Sequence, residues 1–370
     1  MTIPLFKPYF SNSCRQHIFS DLDRILASGQ LMLGEFKDKF ENLFAQTVGV
    51  PYAISVNSCT TALTICLKYF DVEGYEILVP SGSFVTSVSS ILFAGGIPVL
   101  VDMNPETLSF DWYDLERKIT PRTKGIIWVH LTGFVSPESK EILKLAKDKK
   151  LFIIEDAAQA LGATVDRLKA GSLGDAGCFS FYPTKIISCG SGGMITTSDN
   201  GLKKYAEQIR LFGKDTKTGE VLHLGNDWFL DEIRACVGYH HLKELKSNLD
   251  RRREIANRYR QALSSHPALT LLKVPENNGP GYYQFVIFLE RSINCQKLID
   301  TMRAKYHIHA KKIYLPCHKE KVFRKFDNGR LRKTEDTLNS SLCLPMYIQL
   351  TDNEISYITN SLIQELNSGT

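Results

Sequence analysis

Between about residues 50 and 200, short apolar runs alternate with stretches whose apolar positions recur at helical spacing. The runs 53–56, 76–79, 97–101, 125–130 and 151–155 are rich in Val, Ile and Leu, and predict buried strands. Residues 60–70, 83–93 and 138–149 carry the helical period, with Ala62, Leu63, Ile65, Cys66 and Leu67 apolar in the first. Strands alternating with helices of this length predict an α/β fold whose sheet is mostly parallel and covered on both faces. In such sheets ligands gather beyond the C-terminal ends of the strands, which says where to look for chemistry.

Beyond residue 200 the pattern changes. One helical stretch from about 231 to 263 places Leu242, Leu245, Leu249, Ile255, Tyr259 and Leu263 on an apolar stripe. Residues 282–289 read as a strand, and two further helical patterns follow. The expected organisation is a large domain over 1–245 and a smaller α+β domain over 246–370. Residues 318–340 are polar and basic, with Lys319, Lys321, Arg324, Lys325, Arg330, Arg332 and Lys333. They read as a mobile surface loop or, more sharply, as a flap that meets an anionic substrate.

Composition narrows the class. A chain of 370 residues fits two domains at roughly 100–200 residues each, and 43% hydrophobic with 23% charged residues excludes disorder. No apolar run approaches the roughly 18 residues of a membrane span, and the first residues lack a secretory pattern, so a cytoplasmic chain is expected. A net charge of +5 is too mild to argue for nucleic acid, and the run 251–253 reads as a solvated helix face. The nine cysteines show no C-x-x-C spacing and the histidines no H-E-x-x-H, so reduced thiols and no metal are expected.

Three segments carry the candidate chemistry. Ile153-Ile154-Glu155-Asp156 ends a buried strand in a carboxylate, and the apolar run 178–181 delivers Lys185 into a turn after Pro183. Asn57-Ser58-Cys59-Thr60-Thr61 joins a strand to a helix start, where free N–H groups and the helix dipole favour a phosphate. A lysine, a carboxylate and a phosphate cradle are what pyridoxal phosphate requires. Taken alone, the same residues also fit a surface lysine and a helix-capping Asp.

The ordered set Ser28-Gly29…Leu33-Gly34, Asn57-Ser58-Cys59-Thr60-Thr61-Ala62, Glu155-Asp156-Ala157-Ala158-Gln159, Gly171-Ser172-Leu173-Gly174-Asp175, Phe179-Ser180-Phe181-Tyr182-Pro183-Thr184-Lys185 and Leu344-Pro345-Met346 resembles the DegT/DnrJ/EryC1/StrS sugar aminotransferases. The resemblance covers nearly the whole chain. It implies the aspartate aminotransferase-like fold (fold type I) and pyridoxal 5'-phosphate as cofactor. It makes Lys185 the Schiff-base lysine and proton carrier, Asp156 the partner of the pyridine nitrogen, and Gln159 a contact on the ring's 3-hydroxyl side. Phe84 stands where the family's stacking aromatic does, and Thr60, the Thr61 backbone and Ser180 fall at the phosphate.

It further implies a homodimer with shared sites and ping-pong transfer from glutamate or glutamine to a nucleotide-linked 3- or 4-keto-6-deoxysugar, in the biosynthesis of amino sugars and polysaccharides. A non-nucleotide ketone and a non-catalytic, cofactor-binding regulator are the alternatives.

Departures from the pattern accompany it. Where the family carries Asn-x-Arg, with the Asn reaching the neighbouring subunit's cofactor phosphate, this chain has Asp227 and Phe229, so Asn226 or Asp227 takes that place. The family's His-x-Gln-Pro run appears as His318-Lys319-Glu320-Lys321, and His318, Lys319 and Lys321 become substrate candidates.

Overall fold

The computed structural model describes residues 2–327, 329 and 331–368. In the first half of the chain, β1 (Tyr52–Val56), β2 (Glu76–Pro80), β3 (Ile97–Val101), β4 (Thr123–Val129) and β5 (Phe152–Asp156) alternate with helices. The short strands β6 (Thr164–Val165) and β7 (Leu168–Lys169) follow, then β8 (Ala176–Ser180) and β9 (Gly193–Thr197). A seven-stranded sheet results in the order β1-β9-β8-β5-β4-β2-β3, and all its strands except β9 run the same way. The predicted mostly parallel, helix-covered sheet is therefore present.

Two apolar layers flank it. On one side Phe40, Phe44, Phe179 and Phe181 interlock, with the Phe44 and Phe179 rings edge to face at 4.9 Å. The other side holds Leu63, Leu67, Val79, Ile127 and Ile154. Helix ends are tied by side chains. The Glu232 carboxylate accepts the N–H groups of Gly34, Phe36 and Lys37, a negative charge at the start of helix Glu35–Val48 where the dipole favours it.

The smaller domain pairs β10 (Leu269–Leu271), β12 (Phe285–Leu289) and β13 (Ser341–Leu344) in one antiparallel sheet. The strand β11 (Asn278–Gly279) instead joins β6 and β7. Helices Leu245–Leu263, Cys295–Tyr306 and Asp352–Asn367 bury their apolar stripes against the small-domain sheet in one core.

The structure departs from the sequence pattern in two places. The single helix expected over 231–263 is two, Glu232–Leu242 and Leu245–Leu263. The first packs on helices of the large domain and the second serves the small-domain core, so the chain turns where it changes partner. The Ser11 hydroxyl donates to Glu244 at that turn.

The second departure is larger. Residues 318–340 are not a loose loop but a docked strap: short 3₁₀ turns at Cys317–Lys319 and Arg324–Phe326, then helix Arg332–Ser340. Cys317, Phe323 and Leu331 bury themselves in the large domain's core. Asp102 accepts both the N–H and the hydroxyl of Thr334 at 2.7 Å, and the N–H of Lys333 at 3.2 Å. Its few apolar anchors are scattered among charges, so no period betrayed them. Arg330, counted among its basic residues, lies outside the described residues.

Candidate active site

The C-terminal edge of the sheet opens into a cavity of about 440 Å³. After β1 come Ser58 and, at the start of helix Cys59–Tyr69, Cys59 and Thr60; after β2 come Phe84 and, in helix Val85–Phe93, Thr86. Asp156 ends β5 and Gln159 follows it, while Ser180 ends β8 and Lys185 lies in the turn beyond. The small domain closes the far side with Tyr283, Lys311 and Tyr314, and the N-terminal segment adds Phe6.

Lys185 is delivered by a strand anchored through buried Phe179 and Phe181, and its N–H donates to the Tyr182 carbonyl at 2.9 Å. Its ammonium lies 4.5 Å from the centroid of the Tyr283 ring, whose hydroxyl is 2.9 Å from that of Thr184. Burial pushes the amine down to about 8; Asp156 and Cys59 pull the other way, and Lys311 adds to the depression. A lysine so placed carries a reactive fraction of free amine near neutral pH.

Glu155 and Asp156 show how strand alternation divides work. Both are buried, and successive side chains leave opposite faces of the strand. Glu155 accepts the N–H groups of Gly171, Leu173 and Gly174 and the Nε2–H of His130 at 2.7–2.8 Å, so its acceptor capacity is spent on structure. Among the described residues, the Asp156 carboxylate accepts only the Ser87 hydroxyl at 2.7 Å and the Ala158 N–H at 3.1 Å, and it faces the cavity. A carboxylate held by two donors keeps capacity for a third.

Gln159 is fixed at both ends, accepting from the Thr132 N–H at 2.8 Å and donating to the Tyr314 hydroxyl at 3.0 Å. Phe84 is 47% exposed on the cavity wall, its ring 5.3 Å from that of Tyr314. Thr60 and Ser180 also line the cavity. Thr61 does not: its N–H is taken by the capping Ser58 hydroxyl at 3.1 Å, and its own hydroxyl bonds Asn57 at 2.6 Å. The start of β9 lies against this turn because Gly193 lacks a side chain; a Cβ there would sit 2.4 Å from the Ser58 carbonyl carbon.

The remaining candidates lie elsewhere. Asn226 accepts the Asp227 N–H at 2.8 Å, and the Asp227 carbonyl accepts from Asn57 at 3.3 Å, beside the cavity rather than on its wall. His318 is fully buried between the Ser81 hydroxyl at 2.7 Å and Glu335 at 3.0 Å. Lys319 pairs with Glu335 at 3.0 Å, and Lys321 is on the surface. None of the three reaches the cavity of this chain.

Sequence reasoning missed Ser87, Tyr283, Lys311 and Tyr314. The last three come from another domain, about a hundred or more positions from Lys185, where local spacing carries no signal. Among the described residues Asp21, Cys236 and His240 converge as metal ligands would, but that carboxylate is already engaged by Arg24 and His240, each at 2.8 Å.

The donor set fits one kind of guest. A buried carboxylate with spare capacity, a depressed amine, hydroxyls at a helix start and flanking rings suit a flat, phosphorylated aromatic aldehyde.

Known proteins point the same way. The model of the DegT/DnrJ/EryC1/StrS aminotransferase family matches residues 12–363. The chain is 32% identical to GDP-perosamine synthase of Caulobacter vibrioides over 98% of each. It is 33% identical to the dTDP-3-amino-3,6-dideoxy-alpha-D-galactopyranose transaminase of Aneurinibacillus thermoaerophilus, over 94% of this chain and 95% of that one. The structure of DesV from S. venezuelae in complex with a ketimine intermediate superimposes with a TM-score of 0.92, at 28% identity and 98% coverage of both chains.

Proposed function

The chain belongs to the DegT/DnrJ/EryC1/StrS aminotransferase family, whose enzymes use pyridoxal phosphate, and from that premise we propose that it moves an amino group from glutamate or glutamine to a nucleotide-linked keto-sugar. The observation that carries this reading is the meeting of Lys185, with its depressed amine, and buried Asp156 in one cavity at the sheet's C-terminal edge. A 3- or 4-keto-6-deoxysugar is the acceptor, in keeping with the nucleotide-linked amino sugars in the relatives' names. The reaction belongs to amino-sugar and polysaccharide biosynthesis in the cytoplasm.

When bound, pyridoxal phosphate supplies an aldehyde that takes up amino groups and a ring that withdraws electrons from the reacting carbon. The chain's own residues do the rest. Asp156, oriented by Ser87 and the Ala158 N–H, would hold a ring N–H and keep it protonated, since an opposite charge at hydrogen-bond range favours the charged form. Thr60, Ser180 and the start of helix Cys59–Tyr69 would hold the phosphate. Gln159, locked by Thr132 and Tyr314, presents a fixed amide to the ring's edge, and Phe84 an aromatic face. Lys185 accepts a proton from the donor carbon at its Nζ and returns one, a task matched to a pKa near the working pH.

A homodimer is part of the proposal. Phe19 and Leu26 on helix Asn12–Ser28 are 71% and 62% exposed, with Leu31 and Met32 exposed nearby. An apolar patch of this kind marks an interaction surface. Asn226 or Asp227 would then face the partner subunit's cofactor.

The test uses protein loaded with pyridoxal phosphate. L-Glutamate should bleach its visible absorbance and release 2-oxoglutarate, and a dTDP- or GDP-linked 4-keto-6-deoxysugar should restore the colour and appear as the amino sugar. No keto acid from glutamate or glutamine would sink the donor assignment. Keto acid without any acceptance by nucleotide sugars would sink the acceptor assignment.

A further inference from the structure

We propose that Lys311 binds the carboxylate on the amine-bearing carbon of the amino donor and thereby sets donor specificity; this rests on the transaminase reading above. Lys311 enters the cavity from the small domain, on a segment bridged to Cys343 through its carbonyl, which accepts the Cys343 N–H at 2.8 Å. Its ammonium lies 5.2 Å from the centroid of the Tyr314 ring and 5.7 Å from that of Phe6. Burial holds its pKa below the usual lysine range, and among the described residues no carboxylate contributes to its charge balance. A half-buried cation packed among rings and left without an anion is a vacancy in charge, and a ligand's carboxylate would fill it.

Three anions could enter this cavity, and chemistry separates them. The cofactor phosphate is served by hydroxyls and a helix start that belong to the large domain, not by the element that carries Lys311. A sugar diphosphate spreads two charges or more and calls for a cluster of cations or a planar fork, whereas this wall offers one ammonium apart from Lys185. An amino-acid donor carries one carboxylate, one bond from the carbon that must reach Lys185. Lys311 is near enough for its charge to bear on Lys185. The keto-sugar presents only uncharged carbons at that position. Lys311 thus contacts substrate in the first half-reaction and acts in the second only through its charge on Lys185.

Full-length, cofactor-loaded enzyme tests this with Lys311→Met and Lys311→Arg. Calorimetric binding of glutarate, which has no amine to react, should weaken about 10- to 100-fold in K311M and stay within a few-fold in K311R, the scale of one charge-assisted contact. Wild-type enzyme should prefer L-glutamate to its α-amide in single turnovers by a similar factor, and K311M should treat the two alike. Enzyme in the amine form of the cofactor should lose clearly less in keto-sugar amination than in the glutamate half-reaction, since K311M removes there only the charge that bears on Lys185.

Equal slowing of both half-reactions by K311M would overturn the assignment, as would unchanged glutarate binding. A wild-type enzyme indifferent to the α-amide overturns it without any variant. If the wild type forms no keto acid from any amino acid, the transaminase reading itself fails and takes this assignment with it.

Discussion

Two basic regions lie near the sheet's C-terminal edge, and they differ in one respect that decides their roles. In the strap over residues 317–340, His318 and Lys319 share Glu335, and Lys333 meets Asp111. In the cavity, Lys185 and Lys311 face rings and have no ion-pair partner among the described residues. The strap's pairs lock a segment to the large domain. The cavity's amines are buried without an ion-pair partner among the described residues, and burial depresses both. Paired cations hold structure together, whereas unpaired ones enclosed in a cavity await a ligand or a reaction.

The largest effect expected is on the cavity's acid. Asp156→Asn should lower transamination about 10²-fold, equivalent to roughly two pKa units withdrawn from the ring nitrogen, and steady-state assays would read it. A variant with near wild-type activity would mean that another group protonates the ring.

Next is pH. Lys185 must be neutral to bond the cofactor's aldehyde, and its pKa is lowered to about 8. The rate at which cofactor-free protein captures pyridoxal phosphate should therefore fall about tenfold for each unit below pH 8 and level off above it. A midpoint near an ordinary lysine value would show that the amine is not dehydrated as the structure has it.

Ser87→Ala removes one of the two donors that orient Asp156, and should cost about five- to tenfold in kcat with little change in KM, the size of a typical net hydrogen bond. The smallest effect belongs to the strap. Lys319→Ala breaks a half-exposed pair with Glu335 and should change kcat/KM by less than about twofold. A large loss there would erase the contrast between the two regions.

Much of this was legible in the sequence. Strands ending in Asp156 and preceding Lys185 stood out because a short apolar run bounded by polar turns has few other uses, and the parallel sheet then puts both ends on one edge. The reversed direction of β9 was not legible, since an isolated strand does not record its orientation. The Thr61 N–H goes to the capping Ser58 hydroxyl, and sequence cannot tell which N–H of a helix start a cap will consume. The burial of His318 between Ser81 and Glu335 is not legible either, since buried and exposed histidines look alike in a sequence. Tyr283, Lys311 and Tyr314 reach the cavity from the small domain, and no local spacing encodes that.

The central claim is that Lys185, and not the second cavity amine, bonds the cofactor. Borohydride reduction of the loaded protein makes that bond permanent, and peptide mass spectrometry then locates it. The account predicts the added mass on the peptide containing Lys185 and none on that containing Lys311. Label on Lys311, or no label on Lys185, would contradict it.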